Sequence, residues 1–169
     1  MLIQKSSAEP NVDLTKLFAD GVHYVSTAQW VFAYSAFANI SQATKKKSIP
    51  VLYNMALCHL FAKEFTKATS VLTEALTQIA TPSHSHQANV NLPKGLLEHE
   101  YENSQYLSAL NETAVELNNS VVKLRILRLL VDVQLALHNW YEMIRLSALP
   151  DMEKCKNVQD ALAISKSNT

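Results

Sequence analysis

The sequence predicts an all-α protein, and three observations carry that expectation. Among 169 residues there are only two glycines. That is few for sheets joined by tight turns but suits long helices, where each glycine costs about 1 kcal/mol against alanine. The prolines Pro10, Pro50, Pro82, Pro93 and Pro150 stand apart as punctuation, with room for helices between them. In those intervals apolar residues recur every three or four positions, the period of one helical face. A hydrophobic content of 48% with 18% charged residues fits a single globular domain able to bury a core.

From Leu14 the apolar side chains fall at Leu17, Phe18, Gly21, Val22 and Val25, and a second run follows at Trp30, Ala33, Phe37 and Ile40. Thr27–Gln29 leaves space only for a short turn, so the two runs should form an antiparallel helix pair. The pattern then repeats with Leu52, Met55, Ala56 and Leu60, and again with Phe65, Ala68, Leu72, Ala75, Leu76 and Ile79. Alignment places Gly21 on Ala56, Trp30 on Phe65, Ala33 on Ala68 and Phe37 on Leu72, a period of about 35 residues. Thr81–Pro93 has no periodicity and many turn formers, so it reads as a loop. A long helix is then expected over Gly95–Leu117, with Leu97, Tyr101, Leu107, Leu110, Ala114 and Leu117 on one face. Its early Glu98, Glu100 and Glu102 suit the positive end of a helix. "NNS" at 118–120 breaks it. The next helix, Val121–Leu137, is apolar nearly all round and should be central. "HNWYEMIRLSAL" gives a short helix, and residues 151–165 a last one.

The helix pairs resemble the tetratricopeptide repeat (TPR), a helix–turn–helix unit of about 34 residues with small and bulky residues at set places. Gly21, Tyr24, Trp30, Ala33 and Phe37 carry the likeness in the first unit. Asn54, Ala56, Phe65, Ala68, Leu72, Ala75 and Leu76 carry it in the second. His59 stands where an aromatic is usual, and Ile40 where alanine is usual. His138, Trp140, Met143 and Ile144 resemble a degenerate third unit. The resemblance implies a right-handed TPR-like α-α superhelix. In it, residues 14–47 and 49–82 are repeats one and two, 83–94 a loop, and 95–150 additional helices containing the degenerate repeat. Residues 151–165 then form a capping helix, because the terminal units of such arrays are atypical.

In function the resemblance implies a non-enzymatic adaptor or scaffold that binds a protein or peptide segment in a concave groove, with no cofactor. The alternative is a chaperone-like protein shielding an apolar client segment, as secretion chaperones do. Carried over from the family, the groove lining includes Phe18, Val22, Tyr53, Asn54, Leu57 and Phe61. The family's clamp for acidic C-terminal tails wants Lys and Asn where Phe18 and Val22 stand, and only Asn54 matches it, so a carboxylate-clamp co-chaperone is not expected. An apolar groove this large must be covered. Either the later helices of the chain fill it, Gly95–Leu117 or Val121–Leu137, or a partner's apolar segment does.

Other functions find little support. Fifteen acidic and fifteen basic residues cancel, and the only basic run, Lys45–Lys47, reads as a solvated loop, so no nucleic acid is expected. Gly21–Thr44 holds no Asp, Glu, Lys or Arg, yet its scattered His23, Gln29, Ser35, Asn39 and Gln42 are too polar for a membrane span. It is expected to be buried within the chain or across a homo-oligomer. His84, His86 and His99 are too few for a closed metal site. Cys58 and Cys155 lie far apart. Cys58 and His59, adjacent on a helix, point about 100° apart and cannot act together as nucleophile and base. No catalytic residue and no metal ligand is therefore expected. Arg125, Arg128 and Asp132 form a stripe that is either a solvated face, with Arg128 and Asp132 paired, or a place where Arg125 and Arg128 receive an acidic partner group. "MLIQKSSAEP" has no apolar core of a secretory signal, which makes the cytoplasm the expected location.

Overall fold

The computed structural model describes residues 12–80 and 92–167. Among these residues the chain is helical and contains no strand. The elements are α1 (Leu14–Ser26), α2 (Trp30–Ala43), α3 (Ile49–Phe61), α4 (Phe65–Ala80), α5 (Lys94–Glu102), α6 (Ala114–Leu117), α7 (Asn119–Ala136), α8 (Trp140–Ser147) and α9 (Lys156–Ser167). Short 3-10 turns lie at Gln105–Leu107 and Met152–Lys154.

Local chemistry explains where the helices begin. The Asp13 carboxylate accepts from the Thr15 and Lys16 amides at 3.1 Å, satisfying two donors that α1 would otherwise leave open. Ser48 caps α3, with Pro50 in the first turn where its missing amide is harmless. Asn118 caps α7 through the Val121 amide at 3.0 Å. Helix α2 has no side-chain cap. It starts directly out of the turn that ends α1.

That turn occurs three times. Ala28, Lys63 and His138 all adopt left-handed backbone, with φ of 56°, 59° and 55°. At each, the left-handed residue's amide bonds a carbonyl three positions back and the next amide bonds one five back. The pairs are Ala28 to Val25 and Gln29 to Tyr24, Lys63 to Leu60 and Glu64 to His59, and His138 to Leu135 and Asn139 to Gln134. This is the Schellman closure of a helix. In each case an aromatic residue, Trp30, Phe65 or Trp140, opens the following helix. Ala33, Ala68 and Met143 follow three positions later, each without exposure. The pairs α1/α2, α3/α4 and α7/α8 are therefore built on one turn, although none of the three turn residues is glycine.

The pairs pack in order, α2 on α3 and α4 on α7. A Cβ on Gly21 would lie 2.8 Å from the Phe37 ring and 3.2 Å from Ala36 Cβ. Phe37 has no exposure, so the α1–α2 contact requires glycine here. Helix α3 is buried on every side from Pro50 to His59, and α7 over most of its length. α9 covers α7 and α8, burying Cys155, Val158 and Ala161.

The expected Gly95–Leu117 helix does not form as one piece. Helix α5 ends at Glu102, and Asn103 Oδ1 accepts the Gln105 amide at 2.7 Å, turning the chain into the 3-10 segment. The remainder runs irregularly to the single turn of α6. The last helix also starts later than residue 151, at Lys156, because Asp151 is left-handed (φ 66°) and Cys155 is extended. Only residues 92–94 of the expected 83–94 loop lie among the described residues.

The repeated turn makes a direct prediction. Left-handed backbone costs a non-glycine residue about 1–2 kcal/mol. Ala28→Gly and Lys63→Gly should therefore each stabilise the fold by about 1 kcal/mol, a rise in Tm of about 2–4 °C in a chain of this size. Thermal melts followed by circular dichroism measure it.

Candidate partner-binding surface

Helices α1 and α3 carry six of the residues expected to line a groove, and the structure separates them. Phe18 is buried, meeting Phe37 edge-on at 5.5 Å between ring centres. Val22 is partly buried. Tyr53, Asn54 and Leu57 have no exposure at all. Only Phe61 is open, at 52% exposure.

Tyr53 and Asn54 lie under the chain's own irregular segment between α5 and α6. The Tyr53 hydroxyl donates to the Tyr106 carbonyl. The Asn54 carboxamide grips the backbone of Leu110 on both sides, its Nδ2 donating to the carbonyl at 2.9 Å and its Oδ1 accepting the amide at 2.8 Å. The segment also inserts the Tyr106 and Leu110 side chains into the core. A backbone with no helix or sheet to pair its polar groups can be buried only where side chains supply the partners. Asn54 and Tyr53 do so. Burial pushes the Tyr53 hydroxyl well above the ordinary tyrosine range.

The expected Arg125/Arg128/Asp132 stripe is not a solvated face. Arg128 is 1% exposed and anchors a buried network. Its Nε donates to Asn157 Oδ1 at 2.8 Å, its Nη2 to the Asn103 carbonyl at 2.9 Å, and its Nη1 to the Glu100 carbonyl. Its guanidinium lies 4.1 Å from the centre of the Tyr106 ring. Asp132 accepts from the Tyr106 hydroxyl at 2.5 Å and from Asn157 Nδ2 at 2.8 Å, with no direct bond to Arg128. Burial raises the Asp132 pKa, against the pull of those two bonds and of Arg128. Arg125 makes a two-point pair with Glu100, at 2.6 and 2.8 Å. Arg128 is thus internal, and Arg125 already has a carboxylate.

Open apolar side chains occur at several places, Tyr141 and Leu117 among them, and three stand close together on the charge-free stretch. Val31 is 77% exposed and Phe32 58%, beside Tyr34 and Phe61. Three separate ring pairs join α2 to its neighbours: Trp30 stacks on Phe61 with centres 3.7 Å apart, Tyr24 meets Phe32 at 5.5 Å, and Tyr34 meets His59 at 5.4 Å. The polar residues beside them bond inward. Ser35 donates to the Val31 carbonyl and Asn39 to the Ser35 carbonyl. A surface helix without charge presents apolar rings and self-satisfied amides. The repeat pattern assigns Trp30 to packing and leaves Val31, Phe32 and Tyr34 without a role. The absence of charge around them was the available signal.

Reactive groups are shielded. Burial pushes the Cys58 thiol up to about 12 and the Cys155 thiol up to about 11. Among the described residues no three His, Cys, Asp or Glu side chains gather as metal ligands, and no helix is long and apolar enough to cross a membrane. His84 and His86 lie outside the described residues, and His99 is exposed. No protein-family model, curated protein or solved structure matches the chain.

Two measurements follow. Arg128→Met strands two backbone carbonyls and Asn157, and should cost about 3 kcal/mol or more in urea unfolding. Arg128→Lys should recover little, since one ammonium cannot reproduce the planar fork. An alkylating reagent at about pH 8 should label neither cysteine in the folded protein and both in denaturant, as thiols held protonated react poorly.

Proposed function

We propose that this chain is a non-enzymatic protein–protein interaction module, an adaptor or scaffold of the tetratricopeptide type in a right-handed superhelical array. The binding surface is the outer aromatic end of α1, α2 and α3, around Val31, Phe32, Tyr34 and Phe61, and not the interior positions Tyr53, Asn54 and Leu57. The observation carrying this reading is the open apolar face itself. Exposed aromatic and aliphatic side chains resemble the centre of a protein interface, here with the His59–Glu64–Lys67 group at its edge. The three identical turns at Ala28, Lys63 and His138 support the repeat reading. Shielded thiols support a role without chemistry. The partner is a protein or peptide, and neither nucleic acid, membrane nor cofactor enters the reading. A second reading draws on the same exposed rings: a chaperone-like protein that covers an apolar client segment until it folds.

Comparative capture from cell extract tests the proposal. Phe32→Glu and Val31→Glu change exposed side chains, so each variant should keep its circular dichroism spectrum. Each should lose partners that the unmodified chain retains, with affinity falling about tenfold or more. Leu57→Glu, at a position with no exposure, should unfold the chain. Equal capture by the unmodified protein and both surface variants would sink the proposal. A client bound only in its unfolded form would favour the chaperone reading.

A further inference from the structure

Helices α2, α4 and α8 hold equivalent places, each opening out of the same turn, and their outer faces differ in one respect. α4 exposes Lys67 and Glu74, and α8 exposes Arg145 beside Glu142. α2 carries no Asp, Glu, Lys, Arg or His along its 14 residues. Its outer face runs through Val31, Phe32, Tyr34, Ser35, Ala38 and Asn39, and the first three are 77%, 58% and 42% exposed. Two of the polar side chains are already engaged by the helix itself. Ser35 Oγ donates to the Val31 carbonyl at 2.8 Å and Asn39 Nδ2 to the Ser35 carbonyl at 2.9 Å. Covering this face therefore strands neither of these donors and desolvates no charge.

The kind of cover follows from that lack of charge. A different protein can complement a charge on such a face with one of opposite sign, and charged rims steer such partners together. Contact with a second copy across a two-fold axis has no such freedom. A side chain near the axis meets its own counterpart, so a charge there meets its like. A face cleared of charge along its whole length suits an isologous contact, and homodimer interfaces are the more apolar class. We propose that α2 pairs antiparallel with α2 of a second copy, across a two-fold axis between Ser35 and Ala38. The small side chains at the centre let the helices approach, and their opposed directions align the two helix dipoles favourably. In this register Lys45 and Lys46, past the helix end, fall beside the α1–α2 turn of the second copy, which carries no charged side chain. The proposal rests on the reading of the α2 face as a protein contact and names its occupant.

Area sets the strength. Val31, Phe32 and Tyr34 leave roughly 300 Å2 open, and a single helix face stays below the roughly 800 Å2 per partner of a standard interface. The dimer is therefore expected to dissociate with a Kd of about 10–100 μM.

Sedimentation of the full chain between about 5 and 500 μM is the test. The sedimenting mass should rise from one chain towards two across that range. Ser35→Glu and Ser35→Lys alter an exposed position, so each variant should keep its circular dichroism spectrum. Each sets like charges across the axis and should weaken dimerisation about tenfold or more. An equimolar mixture of the two variants should dimerise at least as tightly as the unmodified chain, since opposite charges then face each other. The proposal falls if the unmodified chain stays single throughout that range, if either variant alone dimerises as well as the unmodified chain, or if the mixture stays single. A chain that stays single but loses extract partners on Phe32→Glu overturns the dimer alone and makes a different protein the occupant. A chain that dimerises as described while Phe32→Glu captures extract partners unchanged upholds the dimer and sinks the adaptor reading.

Discussion

The buried guanidinium of Arg128 is the constraint on which the rest of the structure depends. A cation without solvent is tolerated only when its donors are met. Here the partners come from three directions at once: the end of α5, the start of the irregular segment, and α9 through Asn157. No carboxylate touches it. Two carbonyls at the negative end of α5, the face of Tyr106 and the Asn157 oxygen share its charge, and Asp132 is linked to it through Tyr106 and Asn157. Because α7 holds this residue, every later element is located relative to α7. The same bonds stop α5, since its last carbonyls are drawn to Arg128.

The irregular segment is the second consequence of that anchoring. Tied at Glu100 and Asn103 by Arg128, and at Tyr106 and Leu110 by Tyr53 and Asn54, it passes over α3 through a 3-10 turn and sends the Tyr106 and Leu110 side chains into the core. Helix α3 thus meets part of its own chain, one of the two coverings that the sequence allowed. The apolar face around Val31, Phe32 and Tyr34 on α2 stays uncovered.

Much of the fold was legible in the sequence, because four helices follow from periodicity and short connections. Trp30, Phe65 and Trp140 start their helices where the aligned pattern put them, and Val121–Leu137 is central as its all-round apolar character implied. The error over 95–117 has a clear cause. Leu97, Tyr101, Leu107, Leu110 and Ala114 keep helical spacing, but Tyr106 and Leu110 are buried by tertiary bonds to Asn54, Tyr53 and Asp132 that no local pattern records. Arg128 was misread for a related reason. A basic residue at helical spacing from an acid looks like a surface pair until the carbonyls that surround it, far off in sequence, are known. Likewise the left-handed turns at Ala28, Lys63 and His138 leave no trace in residue type, because packing of the helices they join imposes a backbone that glycine would otherwise signal.

The matched turns also give the molecule an optical property. The aromatic that opens the second helix of each pair is tryptophan in the first and third pairs and phenylalanine in the second, so both indole chromophores sit at equivalent places near opposite ends of the row. Their surroundings differ. Trp30 lies flat against Phe61, with 16° between the planes, and Trp140 meets the His138 imidazole edge-on, its ring centre 5.5 Å away. A phenyl face and an imidazole ring set edge-on are different surroundings for an indole. The two ends of the chain therefore carry intrinsic fluorophores in different environments, and loss of order at one end is separable from loss at the other without any added dye.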